Sequence, residues 1–173
     1  MRDERGYTLV EMLTVLVVFG TVMSALLVLL VQGTNAEVDM NNRFQAQQAA
    51  RVALDKIRRE AHCATAVTVS SASSVTLNLP SYCPTGNGSV TWCTVSLGTS
   101  RYGLYRKVGA ACDSTGVRWA DRLTSANVFS YAAQSPTSLA KLSVDFPVNV
   151  KPSRTVGTYE LKDDIVLRNS TRS

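Results

Sequence analysis

Histidine is almost missing from this chain: among 173 residues there is only His62. A Ser-His-Asp or Cys-His arrangement would have to use that one residue, which sits beside Cys63 at the end of a helical stretch. There it reads as a cation facing a helix C-terminus. Metal ligands are equally short. The four cysteines, Cys63, Cys83, Cys93 and Cys112, form no Cys-x-x-Cys pair, so zinc lacks its usual spacing. Asp113-Ser114-Thr115-Gly116 has one carboxylate and no spaced acidic partner, which is too little for a calcium loop. Asp163 and Asp164 are adjacent, and strand neighbours point to opposite sides, so they cannot act as a carboxylate pair. The expectation is no catalytic constellation, no enzyme, no metal and no cofactor. No internal repeat is visible.

Charge is scarcest where apolar residues are densest. From Leu9 to Val31 there are 23 residues with one charge, Glu11, and only Thr14, Gly20, Thr21 and Ser24 as interruptions. At about 1.5 Å per residue, the run spans a hydrocarbon core of about 30 Å as a transmembrane helix. Proline is absent from it, so no kink is expected. A secretory signal would have a shorter apolar core and a small-x-small cleavage site, which Gln32-Gly33-Thr34-Asn35-Ala36 matches poorly. An ionised side chain inside such a run costs roughly 3 kcal/mol and usually marks a function. Glu11 is therefore the residue to explain.

What precedes the run supplies the explanation. Met1-Arg2-Asp3-Glu4-Arg5-Gly6 is a short charged leader, followed directly by Tyr7-Thr8-Leu9-Val10-Glu11. This resembles the type IV prepilin signature, whose common form is Gly-Phe-Thr-Leu-Val/Ile-Glu, with Tyr7 in place of the phenylalanine. The resemblance implies cleavage after Gly6 by a membrane prepilin peptidase and N-methylation of Tyr7. It also implies assembly with other pilin or pseudopilin subunits on an inner-membrane platform. The protein would be a single-pass inner-membrane protein, N-terminus cytoplasmic and head exported, before entering a surface or periplasmic filament. Orientation rests on Arg2, Arg5 and the terminal amine, since Asp3 and Glu4 offset the two arginines. In a helical stack the amine of Tyr7 can approach Glu11 of a neighbour. That contact neutralises both charges and fixes axial register.

Residues 1–6 then read as leader, 7–32 as the membrane or filament-core helix, 33–63 as an amphipathic helix and 64–173 as a β-rich head. In the amphipathic part, Met40, Phe44, Ala50, Leu54, Ile57 and Ala61 define an apolar stripe expected to dock on a sheet. Asp55 to Arg59 and Lys56 to Glu60 stand at i,i+4 spacing on the other faces, and Lys56, Arg58 and Arg59 read as solvated surface. Gly33 is a weak point in one long helix. Beyond Cys63 the Val, Thr, Ser and Tyr content predicts strands near 65–69, 75–79, 89–97, 102–108, 128–131, 139–150 and 158–167. Pro147 marks 139–150 as an edge strand or a bulge. Trp92, Tyr102, Tyr105 and Trp119 read as hairpin core and cross-strand pairs. The fold class is α+β and pilin-like, a long N-terminal helix packed on an antiparallel sheet.

All four cysteines lie beyond the apolar run, and an even count in an exported domain predicts two disulfides. Three pairings are possible. Cys83 and Cys112 fall in loops at the same end of a 75–108 meander, and Cys93 has the parity of Val95 and Leu97, taken as the face toward the helix. That favours Cys83–Cys112 and Cys63–Cys93.

Two functional classes follow. The first is a minor pilin or pseudopilin subunit of a type IV pilus or type II secretion-like filament. The stretch 51–60 and Ile165-Val166-Leu167-Arg168-Asn169 resemble the W and J types. The second is a membrane-anchored module presenting its head to DNA or a surface, as in DNA uptake. A formal net charge of +5 permits nucleic-acid contact without requiring it.

Overall fold

The computed structural model describes residues 8–151 and 157–168. One helix, α1 (Leu9–Cys63), is followed by eight strands: β1 (Ala66–Ser71), β2 (Ser74–Leu79), β3 (Gly88–Gly98), β4 (Arg101–Val108), β5 (Val117–Leu123), β6 (Phe129–Ala132), β7 (Lys141–Val148) and β8 (Tyr159–Val166). Gly33 does not interrupt α1. The chain divides into two compact units, Met1–Asn41 and Asn42–Ser173.

In the first unit the helix is long and apolar enough to cross a membrane, and its apolar window buries nothing against protein. The second unit is α+β. Its strands are antiparallel in the order β1-β2-β3-β4-β5-β7-β6, with β8 on the other edge of β7. The N–H groups of Val128 and Phe129 both donate to the Ala72 carbonyl in the β1–β2 turn, at 2.9 Å each. Those bonds bring the β6 end of the sheet back to its beginning, so the sheet is curled.

Alternation decides which face of the sheet meets the helix. Val75, Leu77 and Leu79 of β2 stand opposite Trp92, Val90 and Gly88 of β3. Val75, Leu77, Leu79, Val90 and Trp92 are buried with Leu104, Leu142, Val144, Phe146 and Ile165. Against them α1 presents Ala46, Ala50, Ala53, Leu54, Ile57, Glu60 and Ala61. The expected stripe is corrected at its start: Met40 and Phe44 are exposed. Phe44 is two residues from Ala46, about 200° around a helix, and so points nearly away from the sheet.

Strand β5 was not expected. Arg118, Asp121 and Arg122 break its apolar alternation, and register shifts against β4 let both Ala120 and Leu123 reach the core. Pro147 does not make β7 an edge strand, since β7 pairs on both sides. Asp145 donates its N–H to Val128 and Asn149 to Arg122, at 2.9 and 3.0 Å. The missing N–H of Pro147 falls between those two bonds, where β6 has ended and β5 has barely begun. Its carbonyl still accepts the Thr124 N–H at 2.9 Å.

Two disulfides close the head, Cys63–Cys83 and Cys93–Cys112, each with Cα atoms 5.9 Å apart. The expected pairing Cys83–Cys112 and Cys63–Cys93 is therefore wrong, although all four cysteines are bridged. The error lies in strand parity. Trp92 faces the helix, so Cys93 faces away from it, beside Tyr105 of β4 on the outer surface. There residues 109–116 fold over the sheet, with Thr91 Oγ1 donating to the Gly109 carbonyl at 2.6 Å. A Cβ on Gly116 would meet the Arg106 carbonyl oxygen at 2.7 Å, so only glycine permits this closeness. Cys63 ends the helix near the start of β1, and Thr65 donates to the Asn78 carbonyl at 2.9 Å. It is thus at the end of β2 from which the Cys83 loop departs.

Candidate functional site: the anchor helix and its lock on the head

Helix α1 opens on a cap. Thr8 Oγ1 accepts the Glu11 N–H at 3.3 Å, and the Thr8 carbonyl accepts the Met12 N–H at 3.2 Å. Thr8-Leu9-Val10-Glu11 is a Thr-x-x-Glu capping sequence, a start signal legible in the sequence. Glu11 lies in the first helical turn, where a carboxylate also meets the positive end of the helix dipole. Behind it the side chains from Leu9 to Val31 are exposed throughout. Gly6 and Tyr7, the expected processing residues, lie outside the described residues.

The second half of α1 is held to the sheet by a buried ionic cluster. Glu60 is 0 % exposed. Trp92 Nε1 donates to its Oε2 at 2.7 Å and Arg106 Nε to its Oε1 at 2.9 Å, with Lys56 Nζ 3.5 Å away. Trp92 packs in turn against Trp119, ring centroids 5.6 Å apart. Charge at position 60 suggested a solvated side chain on the far face. It lies three residues past Ile57, in the docking stripe, and is tolerated there because β3 and β4 supply donors to both oxygens.

Farther out, two arginines join the helix to β8. Arg58 donates to Asp163 at 2.9 Å and to Asp55 at 3.1 Å, and Arg51 donates to the Tyr159 hydroxyl at 3.0 Å. The expected Asp55–Arg59 pair is replaced by Asp55–Arg58, one residue closer. Asp163 and Asp164 do point apart. Asp164 faces outward, accepting from Ser143 and Lys141, which lower its carboxyl below the ordinary range. Lys162 is raised by Glu160 and Asp145. These groups rim a groove of about 660 Å³ lined by Asn127, Ser130, Ser143, Asp145, Lys162 and Asp164, among others. On the loop covering β4, Asp113 is held down to about 2, first by its bond to Lys107 at 2.7 Å and then by Thr115. His62 is exposed in the last turn of α1.

A long apolar N-terminal helix followed by a curled antiparallel sheet is an α+β, pilin-like architecture. Residues 1–27 match the family described as the prokaryotic N-terminal methylation motif. That match supports a type IV prepilin-like protein, a motif family that is structural rather than enzymatic. It implies processing by prepilin peptidase and assembly with other pilins, and it fits a membrane-anchored pilin. No curated protein and no solved structure matches the chain.

Proposed function

We propose that the protein is a minor pilin or pseudopilin, cleaved after Gly6, methylated on Tyr7 and built into a membrane-anchored helical filament through residues 7–32. The observation that carries this reading is the capped helix in which Glu11 heads an apolar run whose side chains are exposed from Leu9 to Val31. Lipid covers such a surface before assembly, and the same segments of neighbours cover it afterwards. Glu11 then receives the amine of a neighbouring Tyr7. The head, residues 64–173, stays outside the cytoplasm, where its disulfides persist.

Processing is tested by mass spectrometry of the mature protein, which should begin at a singly methylated Tyr7. Gly6→Arg should leave the full-length chain in the membrane. An intact Met1 in assembled material would refute the assignment. Glu11→Ala should leave monomer insertion unharmed while lowering incorporation into filaments. Undiminished incorporation would reduce Glu11 to a helix-end charge.

A further inference from the structure

From Cys63 to Ser100 the chain carries no Asp, Glu, Lys, Arg or His. That stretch supplies β1, β2 and β3, and the outer face of the first two is built from Ala66, Thr68, Ser74, Thr76 and Asn78. Strand β1 pairs with β2 along one side, and no strand pairs with its other side among the described residues. The β6 end of the sheet bonds to the Ala72 carbonyl, in the turn beyond β1. An open strand edge is a row of unpaired N–H and C=O groups, and proteins usually guard it with charge, proline or a bulge. Strand β1 has neither charge nor proline, and its irregularity at Ser70 lies past Val69, at the far end.

The opposite edge is guarded. Strand β8 exposes Glu160, Lys162 and Asp164, while Arg58 and Arg51 of α1 bond to its Asp163 and Tyr159. The second unit as a whole is cationic, with 16 basic against 8 acidic side chains in residues 42–173. Two heads therefore repel as wholes, and the uncharged β1 edge is where they meet with the least of that repulsion.

We infer that β1 pairs antiparallel with β1 of a second copy of this chain, about a two-fold axis at Val67. The contact joins two heads edge to edge through main-chain hydrogen bonds and does not rest on the filament reading. Alternation restricts its register. Val67 and Val69 pack against the core while Ala66 and Thr68 are exposed, and opposed positions must share a face. The axis therefore lies at a residue and not between two. An axis at Thr68 would call on Ser70, the residue that leaves the register with β2. An axis at Val67 uses Thr65 to Val69 throughout. It sets Val67 against Val67, Ala66 against Thr68, and Thr65 against Val69. Pairing with β8 of another copy would instead lay uncharged side chains beside Glu160, Lys162 and Asp164. It would also continue from copy to copy, whereas the two-fold contact closes.

Cysteine bridging in the full chain in detergent tests this, with the pairs Cys63–Cys83 and Cys93–Cys112 verified by peptide mapping. Val67→Cys should bridge to its own copy, because directly opposed residues lie about 5 Å apart across an antiparallel pair. Val69→Cys, on the same face but opposed to Thr65, should not. Neither should Asn78→Cys, exposed one strand farther in. Because Val67 touches the core, an exposed pair repeats the measurement: Ala66→Cys mixed with Thr68→Cys should give a bridge between positions 66 and 68. No bridge at 67 together with none between 66 and 68 overturns the pairing, and so does bridging at 78 equal to that at 67. A bridge at 69 exceeding that at 67 overturns the register. Ala66→Lys combined with Thr68→Lys sets like charges directly opposite and should lower the Val67→Cys bridge about ten-fold. Mixing that chain with one carrying Ala66→Glu and Thr68→Glu should restore it. An undiminished bridge in the lysine variant, or no recovery in the mixture, overturns the self-pairing.

Discussion

Leu9 to Val31 and the head meet the need to bury apolar surface in opposite ways. The first stretch is a single helix whose valines, leucines and methionines are all exposed. Its surroundings must supply the cover. The head and the second half of α1 bury Trp92, Phe146, Ile57 and Leu142 in one core and close the fold with two disulfides and an internal carboxylate. One region is stable only in company, and the other carries its own core. The contrast shows why the same helix can be apolar all round at its start and striped with alanine farther on.

The sharpest way to break this contrast is at Glu60. Glu60→Ala should destabilise the head by about 3–5 kcal/mol, because it strands the Arg106 guanidinium and the Trp92 N–H in the core. Adding Arg106→Met should recover part of the loss, since removing both members of a buried pair costs less than removing one. Urea unfolding of the full chain in detergent, followed by Trp92 and Trp119 fluorescence, reads both. Equal midpoints for parent and Glu60→Ala would mean that the cluster is hydrated in solution.

Reduction probes the same contrast with a smaller effect. The bridges span separations of 20 and 19 residues. Each should contribute about 2–4 kcal/mol, chiefly by restricting the unfolded chain. Reductant should lower the urea midpoint of the head and leave the detergent-bound helical signal of the first region in place. Peptide mapping without reduction should recover Cys63 with Cys83 and Cys93 with Cys112, and a Cys63–Cys93 peptide would reverse the parity assignment of β3.

The smallest effect is confined to the loop over β4. Asp113 titrates near 2 rather than at its ordinary 3.8, so its pairing with Lys107 is fully present above 3.8 and lost as pH falls through about 2. Carboxyl NMR should find that low midpoint, and Lys107→Met should move it upward. An unchanged midpoint in the variant would show that Thr115 alone holds the carboxylate.

The fold is most legible in the sequence where chemistry is local. Seven of the eight strands fall close to where β-branched runs bounded by turns placed them, because alternation and turn residues act over a few positions. Strand β5 escaped because its pattern makes sense only with the register shifts imposed by β4. Phe44 and Glu60 were misassigned together. Following three-and-four spacing back through Met40 and Phe44 drifted around the helix, whereas the buried path runs through alanines that carry little hydropathy signal.

The sequence by itself determined the N-terminal motif: Gly6, Tyr7, Glu11 and the apolar run are contiguous, and a motif read along the chain needs no fold to be recognised. It also determined that the four cysteines would pair. Only the tertiary structure decided with whom, because the parity of β3 is set by which of its faces meets the helix. The charge at position 60 became a buried lock for the same reason. Trp92 and Arg106 stand 32 and 46 residues away along the chain, and sheet packing alone brings them to the carboxylate.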